Sequence, residues 1–327
     1  MQLSDKPVIE QAVNYIQQNK PFWLCTILNT YGSAPRPIGS IFVTDGGQRF
    51  GSISGGCLED AFVEMLKQGK FNQPTQLFTY GQHAVSASIY RELPCGGTIE
   101  LLVEYIPPVT KHQEHFQQWL QFADKQQPFS RVIELDGDAK HVSLLNDTPA
   151  QQVVTAPHQV TLAYEQVITL LLIGIGQVTE QLARLGILAG YQVKVCDTRK
   201  GLSDSWHFNK ARGGVDIIWM SPDLFVEKYA NGRSAVLALA HDPSIDDVAL
   251  MSVFDTSAFY IGAMGSTRTS NARIERLQRI CDIPLQQLER LHAPIGLNIG
   301  SKTPVEIAIA TLADIIRVQH KINKEAL

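Results

Sequence analysis

The run Val167-Ile168-Thr169-Leu170-Leu171-Leu172-Ile173, closed by Gly174-Ile175-Gly176, constrains this chain more than any other stretch. Apolar residues without alternation fit a strand buried on both faces of a parallel sheet. Val178, Leu182, Leu185 and Ala189 then recur at helical spacing, and Gly190 ends the helix. Val193-Lys194-Val195 opens a second strand that closes at Asp197. Further strands are expected over 215–220, 235–240 and 258–261, with helical segments between them. This alternation predicts an α/β fold: a Rossmann-like, doubly wound parallel sheet. The last helix carries a capping box, with Thr303 at the N-cap, Pro304 at N1 and Glu306 at N3.

The first half reads as a mixed α/β domain. A helix is expected over 8–19, with Val8, Ala12, Tyr15 and Ile16 on one side. Short strands follow over 22–28 and 41–43, and Asp45-Gly46-Gly47 signals a hairpin. The loop Phe50-Gly51-Ser52-Ile53-Ser54-Gly55-Gly56-Cys57 leads into a helix through Leu58, Phe62, Met65 and Leu66, which Gly69 can end. A strand is expected over 98–106. From about 109 to 165 only a Gln-rich helix (113–127) and strand-like pieces at 131–135 and 141–145 stand out. With 327 residues, at about 150 residues per domain, two domains are expected. The change of character puts the boundary at 1–160 and 161–327.

Composition removes several classes. Lys plus Arg is 28 against 32 for Asp plus Glu, so the basic excess of a nonspecific nucleic-acid binder is missing. The five cysteines stand singly, which argues against a disulfide framework, and no CxxC or HExxH suggests zinc. The N-terminal MQLSDKPVIEQAVNYIQQNK lacks the apolar core of a signal peptide, and no stretch approaches a membrane span of about 20 residues. The expectation is a soluble protein of the reducing cytoplasm, with a homodimer as the default assembly.

Four places carry candidate chemistry. In a dinucleotide fold Gly174 makes the tight turn and Gly176 lets a pyrophosphate approach the helix N-terminus. The third glycine of that pattern is replaced by Thr179, which predicts slightly wider helix–strand packing. Asp197 stands where a ribose-binding acid belongs, and Arg199 is placed for a 2′-phosphate. NAD(P), another phosphate ligand, or glycines that only permit the turn all fit. Second, Cys57 follows Ser54, Gly55 and Gly56 at a helix start, where unpaired amides favour a thiolate. Cys95, with Gly96 and Gly97, is a similar thiol-bearing loop. A small buried cysteine at a tight turn is the alternative for each; Cys25, Cys196 and Cys281 are expected in the core.

Third, His241-Asp242 and Gly262-Ala263-Met264-Gly265-Ser266 follow two expected strands. They are placed to share a crevice with Gly174 and Gly176. His241 suits proton transfer or orientation, or a capped turn through Asp242. Fourth, Gly296, Gly300 and Lys302 precede the last helix and form a second candidate anion cradle, or an ordinary capped loop.

Taken together, these residues resemble the XdhC/CoxI family of xanthine dehydrogenase accessory factors. The resemblance rests on Gly32-Ser33-Ala34-Pro35-Arg36-Pro37, Gly51 to Glu59 and Pro94-Cys95-Gly96-Gly97. In the second half it rests on Gly174 to Gly176, Asp197-Thr198-Arg199, His241-Asp242, Tyr260 to Ser266 and His292 to Ile307. It implies a protein that binds the molybdenum cofactor (molybdopterin) and supports exchange of an oxo for a sulfido ligand with a cysteine desulfurase. It further implies delivery of the product to an apo molybdenum hydroxylase. On that reading Cys57, with Cys95 nearby, contacts or protects the molybdenum–sulfur centre, and one glycine-rich helix N-terminus holds the cofactor phosphate. Which one stays open. The rival reading is an NAD(P)-dependent oxidoreductase using Gly174, Gly176 and Asp197, with His241 in proton transfer. A third is an interaction module that binds neither ligand. The chain is too short for molybdenum, flavin and iron–sulfur domains together, and it lacks clustered iron–sulfur cysteines.

Overall fold

The computed structural model describes residues 5–32, 36–81, 97–125, 127–135, 140–144 and 152–323. The chain divides into two compact units, Met1–Gln166 and Val167–Leu327.

The first unit runs α1 (Lys6–Gln17), β1 (Phe22–Tyr31), β2 (Ile41–Thr44), β3 (Arg49–Gly51), α2 (Cys57–Lys67), β4 (Thr75–Gly81) and β5 (Thr98–Ile106). It continues with α3 (Thr110–Lys125), β6 (Phe129–Glu134), β7 (Lys140–Leu144), β8 (Val153–Ala156) and β9 (Gln159–Tyr164). Two antiparallel sheets result, in the orders β3-β2-β1-β5-β4 and β7-β6-β9-β8. Strand β1 explains its own apolar run. Phe22 and Leu24 point to a core shared with α1, α3 and the second sheet, while Cys25 and Ile27 point to a core under α2. The stretch from 109 to 165 is therefore a helix and a second sheet. Strand β9 spans residue 160 and pairs with both β6 and β8, which fixes it within the first unit.

A buried charge pair joins the layers of this unit. Arg131 on β6 donates to Glu104 on β5 at 3.0 Å, and both side chains are fully buried. The Arg131 Nε–H also donates to His115 Nε2 on α3 at 3.0 Å, and its guanidinium lies 4.2 Å from the centroid of the Trp119 ring.

The second unit runs β10 (Thr169–Ile173), α4 (Gln177–Leu188), β11 (Gln192–Asp197), β12 (Ile217–Trp219), α5 (Pro222–Tyr229), β13 (Ser234–Ala238) and α6 (Pro243–Val253). It ends with β14 (Tyr260–Ala263), α7 (Thr267–Cys281), α8 (Leu285–Leu288), β15 (Leu291–His292) and α9 (Pro304–Gln319). All strand pairs are parallel, in the order β12-β11-β10-β13-β14-β15. Counted within the unit this is 3-2-1-4-5-6, the dinucleotide-fold order, with its reversal between β10 and β13. Leu170 and Leu172 enter the core under α4 and α9; Leu171 and Ile173 enter the core under α5, α6 and α7. That two-sided burial is why the run from 167 to 173 shows no alternation. The capping box of α9 forms as read: Glu306 N–H donates to Thr303 Oγ1 at 3.3 Å, and Thr303 N–H to Glu306 Oε2 at 2.9 Å. Among the described residues no helix is long and apolar enough to cross a membrane.

Removing one partner of a buried pair leaves an unpaired charge in the core and costs about 3–5 kcal/mol. Arg131→Met and Glu104→Leu are each expected to destabilise the first unit by that order, read as a lower urea midpoint. The double replacement is expected to recover most of the loss. Equal midpoints for wild type and single variants contradict this.

Candidate functional site

The turn from β10 into α4 is built around Asp197. Gly174 has φ +101°, and a Cβ on it stands only 2.4 Å from Ala240 Cα. No side chain fits there. The Ile175 N–H donates to Asp197 Oδ2 at 2.6 Å, and the Arg199 guanidinium donates to the same oxygen at 2.8 Å. Asp197 Oδ1 accepts from the Arg199 backbone N–H at 2.7 Å and from Arg199 Nε at 3.0 Å. Burial opposes the charge of Asp197, but these donors hold the carboxyl below its ordinary range. A carboxylate offers about four acceptor sites, so these bonds leave Asp197 none for a ribose.

Thr179 sits inside the helix–strand packing. It is fully buried and its hydroxyl donates to the Gly174 carbonyl at 2.6 Å. The close helix–strand approach falls instead at Gly186, where a Cβ meets Leu170 Cδ1 at 2.7 Å.

Beyond the carboxyl ends of β13, β14 and β15 lies a cleft of about 570 Å³. It brings together His241, Gly265, Ser266, Gly296 and Gly300, which the sequence placed in two separate groups. Gly174 and Gly176 do not line it. Gly174 instead abuts Ala240, the residue before His241, so the turn backs the cleft wall and does not form it. Lys302 is exposed and also outside the lining. His241 itself is exposed and takes a left-handed backbone, φ +57°, before the Asp242 N-cap of α6.

Two buried polar networks, both missed from the sequence, hold the cleft walls. Asp246 Oδ1 accepts the Ala240 N–H at 2.9 Å; Arg273 donates to Asp246 Oδ2 at 3.1 Å and to the Met264 carbonyl at 3.1 Å. One carboxylate–guanidinium pair thus fixes the ends of both β13 and β14. Burial pushes Asp246 up to about 6, against the Ala240 and Arg273 bonds. The second network centres on Asp314 of α9. It accepts from Tyr260 at 3.0 Å and Arg317 at 2.8 Å, and pairs with His292 Nδ1 at 2.8 Å. The His292 ring stacks on Tyr260 with centroids 4.3 Å apart. Burial opposes ionisation, yet the His292, Arg317 and Tyr260 bonds bring Asp314 down to about 2. An acid inside the apolar helix PVEIAIATLADIIR is the sequence signal that marks it.

In the first unit Glu59 organises the loop before α2. Its Oε1 accepts from Ser52 Oγ and Ile53 N–H at 2.7 Å each and from Ser54 N–H at 2.9 Å. Its Oε2 accepts from Gly56 N–H at 2.9 Å and from Ser54 Oγ. Burial opposes the charge, but these bonds hold Glu59 down to about 2. Gly55 and Gly56 have φ of +85° and +133°, and a Cβ on either meets nothing within 4 Å. Cys57 is the first residue of α2. The amides at this helix start are partly committed, since Leu58 N–H donates to Ser54 Oγ at 2.8 Å. Gly97 is buried just before β5, and Cys95 and Gly96 lie outside the described residues. Cys25 and Cys196 are buried in the core and Cys281 is half-buried; burial pushes the Cys196 thiol up to about 12.

Both units match known families. Residues 15–81 match the XdhC and CoxI family, and residues 170–315 match the XdhC Rossmann domain. The chain belongs to the XdhC/CoxI family. The molybdenum cofactor insertion chaperone PaoD of Escherichia coli (strain K12) is 24% identical, over 96% of this chain and 88% of that protein. A protein of Bacillus subtilis (strain 168), described as a probable xanthine dehydrogenase subunit, is 25% identical, over 91% of this chain and 93% of that protein. A crystal structure described as a xanthine dehydrogenase from Bacillus halodurans shares the fold. Its TM-score is 0.73 at 22% identity, covering 99% of this chain and 98% of that one. The loop at Glu59 lies within the first family match and the cleft within the second.

A carboxyl held below its unfolded value stabilises the fold above that value and loses the effect as pH falls through its folded value. For Asp314 the window runs from its ordinary 3.8 down to about 2. The second unit is therefore expected to lose on the order of 2 kcal/mol across that range. Asp314→Asn is expected to be less stable at pH 7 and to flatten this acid limb. An unchanged pH–stability curve, read by thermal melts, contradicts the network.

Proposed function

We propose that this chain is an accessory factor that carries the molybdenum cofactor for a xanthine dehydrogenase-type molybdenum hydroxylase. It supports sulfuration of that cargo with a cysteine desulfurase and hands it to the apo-enzyme in the cytoplasm, working as a homodimer. The observation that carries the reading is the cleft of about 570 Å³ at the strand ends of a chain in the XdhC/CoxI family. Its size falls in the small-molecule range of about 300–1,000 Å³. Its walls combine glycine backbone, hydroxyls of Ser266, Thr269 and Ser301 and the His241 imidazole with apolar Met264, Ile295, Leu297 and Ile307. Such mixed walls suit a phosphate-bearing pterin, with an apolar side for the ring system and a polar side for the phosphate.

The thiol role belongs to Cys57 at the start of α2. The bare backbone at Gly55 and Gly56 lets a bulky group come close, and thiolate sulfur suits a soft metal–sulfur centre. Cys95 is assigned the same role from its Pro-Cys-Gly-Gly motif.

The dinucleotide strand order favours a second reading, an NAD(P)-dependent oxidoreductase. The saturated Asp197 speaks against it. Titration with NAD(H) and NADP(H), followed through Trp206 and Trp219 fluorescence, separates the two. Saturable binding with substrate-dependent hydride transfer favours the second.

Cys57→Ala and Cys95→Ala are expected to reduce activation of an apo molybdenum hydroxylase at least tenfold, with the hydroxylase carrying less sulfido ligand. Wild-type activation by both variants overturns the thiol assignment.

A further inference from the structure

Among the described residues, four glycine-bearing turns precede helices and are shaped to receive an anion. Three of them already hold a carboxylate of the protein itself on at least one amide. Glu59 takes the Ile53, Ser54 and Gly56 amides before α2. Asp197 takes the Ile175 amide before α4. Glu306 takes the Lys302 and Thr303 amides before α9, at 2.8 and 2.9 Å. An incoming phosphate at any of these turns meets a fixed negative charge and has to displace it.

The fourth turn differs. Helix α7 has 15 residues and no acid in its first turn. Its N-terminus offers Gly265, Ser266, Thr267 and Thr269 to the cleft, with the exposed Arg268 among them. The helix dipole is thus left without an internal anion at its positive end. A second observation points the same way. Ser270 is fully buried, and its Oγ has no hydrogen-bond partner. That oxygen lies only 3.7 Å from where a Cβ on Gly265 would stand, against the wall of the cleft. A buried hydroxyl without a partner is costly, and an acceptor brought into this turn relieves it.

We propose that the phosphate ester of the cargo is held at the N-terminal turn of α7, by Gly265, Ser266, Thr267 and Thr269, and not on the other three turns. The inference rests on the cofactor-carrying reading above. It places the phosphate in the cleft and leaves the Gly174 turn a purely structural part.

The test uses the full chain, loaded anaerobically with molybdenum cofactor released from a donor molybdoenzyme, and with the same cofactor after phosphatase treatment. Molybdenum retained after desalting is the readout. Thr269→Glu puts a carboxylate at N3 of α7. With Ser266 at the N-cap this completes the capping pair already present at α9, so the helix keeps its stability. Thr269→Gln adds the same bulk without charge. The expected result is that wild type prefers the intact cofactor at least tenfold, that Thr269→Glu abolishes the preference, and that Thr269→Gln retains most of it. A Thr269→Glu protein with the wild-type preference overturns the α7 assignment and leaves the cofactor-carrying reading standing. Retention of neither form by wild type overturns that reading, and also the α7 assignment unless Thr269→Glu abolishes NAD(H) binding. A parallel titration with NAD(H) identifies the source of the phosphate. NAD(H) binding that Thr269→Glu abolishes, without cofactor retention, supports the phosphate site and overturns the cargo.

Discussion

The second unit depends on a carboxylate seated in a glycine turn. Asp197 ends β11, receives the Ile175 amide from the β10–α4 turn, and is clamped by Arg199 from its own loop. The turn has to be glycine because Gly174 lies against Ala240 at the end of β13. The buried Asp197 carboxylate, paired with the half-buried Arg199, and the glycine contact therefore set the relative position of three strand ends at the point where the sheet reverses. Everything beyond β13, including the cleft, is built outward from that corner. Glu59 does the same work in the first unit, where five donors converge on it and define the backbone that leads into Cys57.

The cleft walls are held by side chains that never reach its surface. Asp246 and Arg273 tie β13 to β14, and Asp314 ties α9 to Tyr260 and His292. Such networks fix the geometry of backbone loops more tightly than apolar packing alone, because each donor and acceptor has a direction. That suits a site whose polar side is glycine backbone and short hydroxyls. These groups have little reach of their own and have to be presented in place.

The architecture is legible in the sequence where burial is two-sided or periodic. The β10 run, the α4 stripe and the α9 capping box are each readable because a local pattern maps directly onto a local structure. Strands β4, β8 and β9 are not, since TQLFTYG, VVTA and QVTLAY mix polar and apolar residues without clear punctuation. Strand β15 is two residues long and exists only through pairing with β14. In the site, the glycine and histidine loops are visible as motifs, and their joining in one cleft follows from the parallel sheet. Asp197 stands out in the sequence at the right place in the fold, but as a ribose ligand. Only the three-dimensional structure reveals that Arg199 and Ile175 occupy it. Asp246 with Arg273, and Asp314 with His292, are far apart in sequence and follow no short motif. Glu59 is within reach of sequence reasoning, because an acid three residues after a cap position is the capping-box pattern.

The central claim is that this protein carries the molybdenum cofactor as cargo. It is tested most directly by purifying the full chain anaerobically from a molybdenum-replete host and measuring molybdenum and pterin per chain. The account predicts that the two co-purify in matching amounts, with the pterin phosphate intact. Background molybdenum and pterin, together with bound nicotinamide dinucleotide, contradict it.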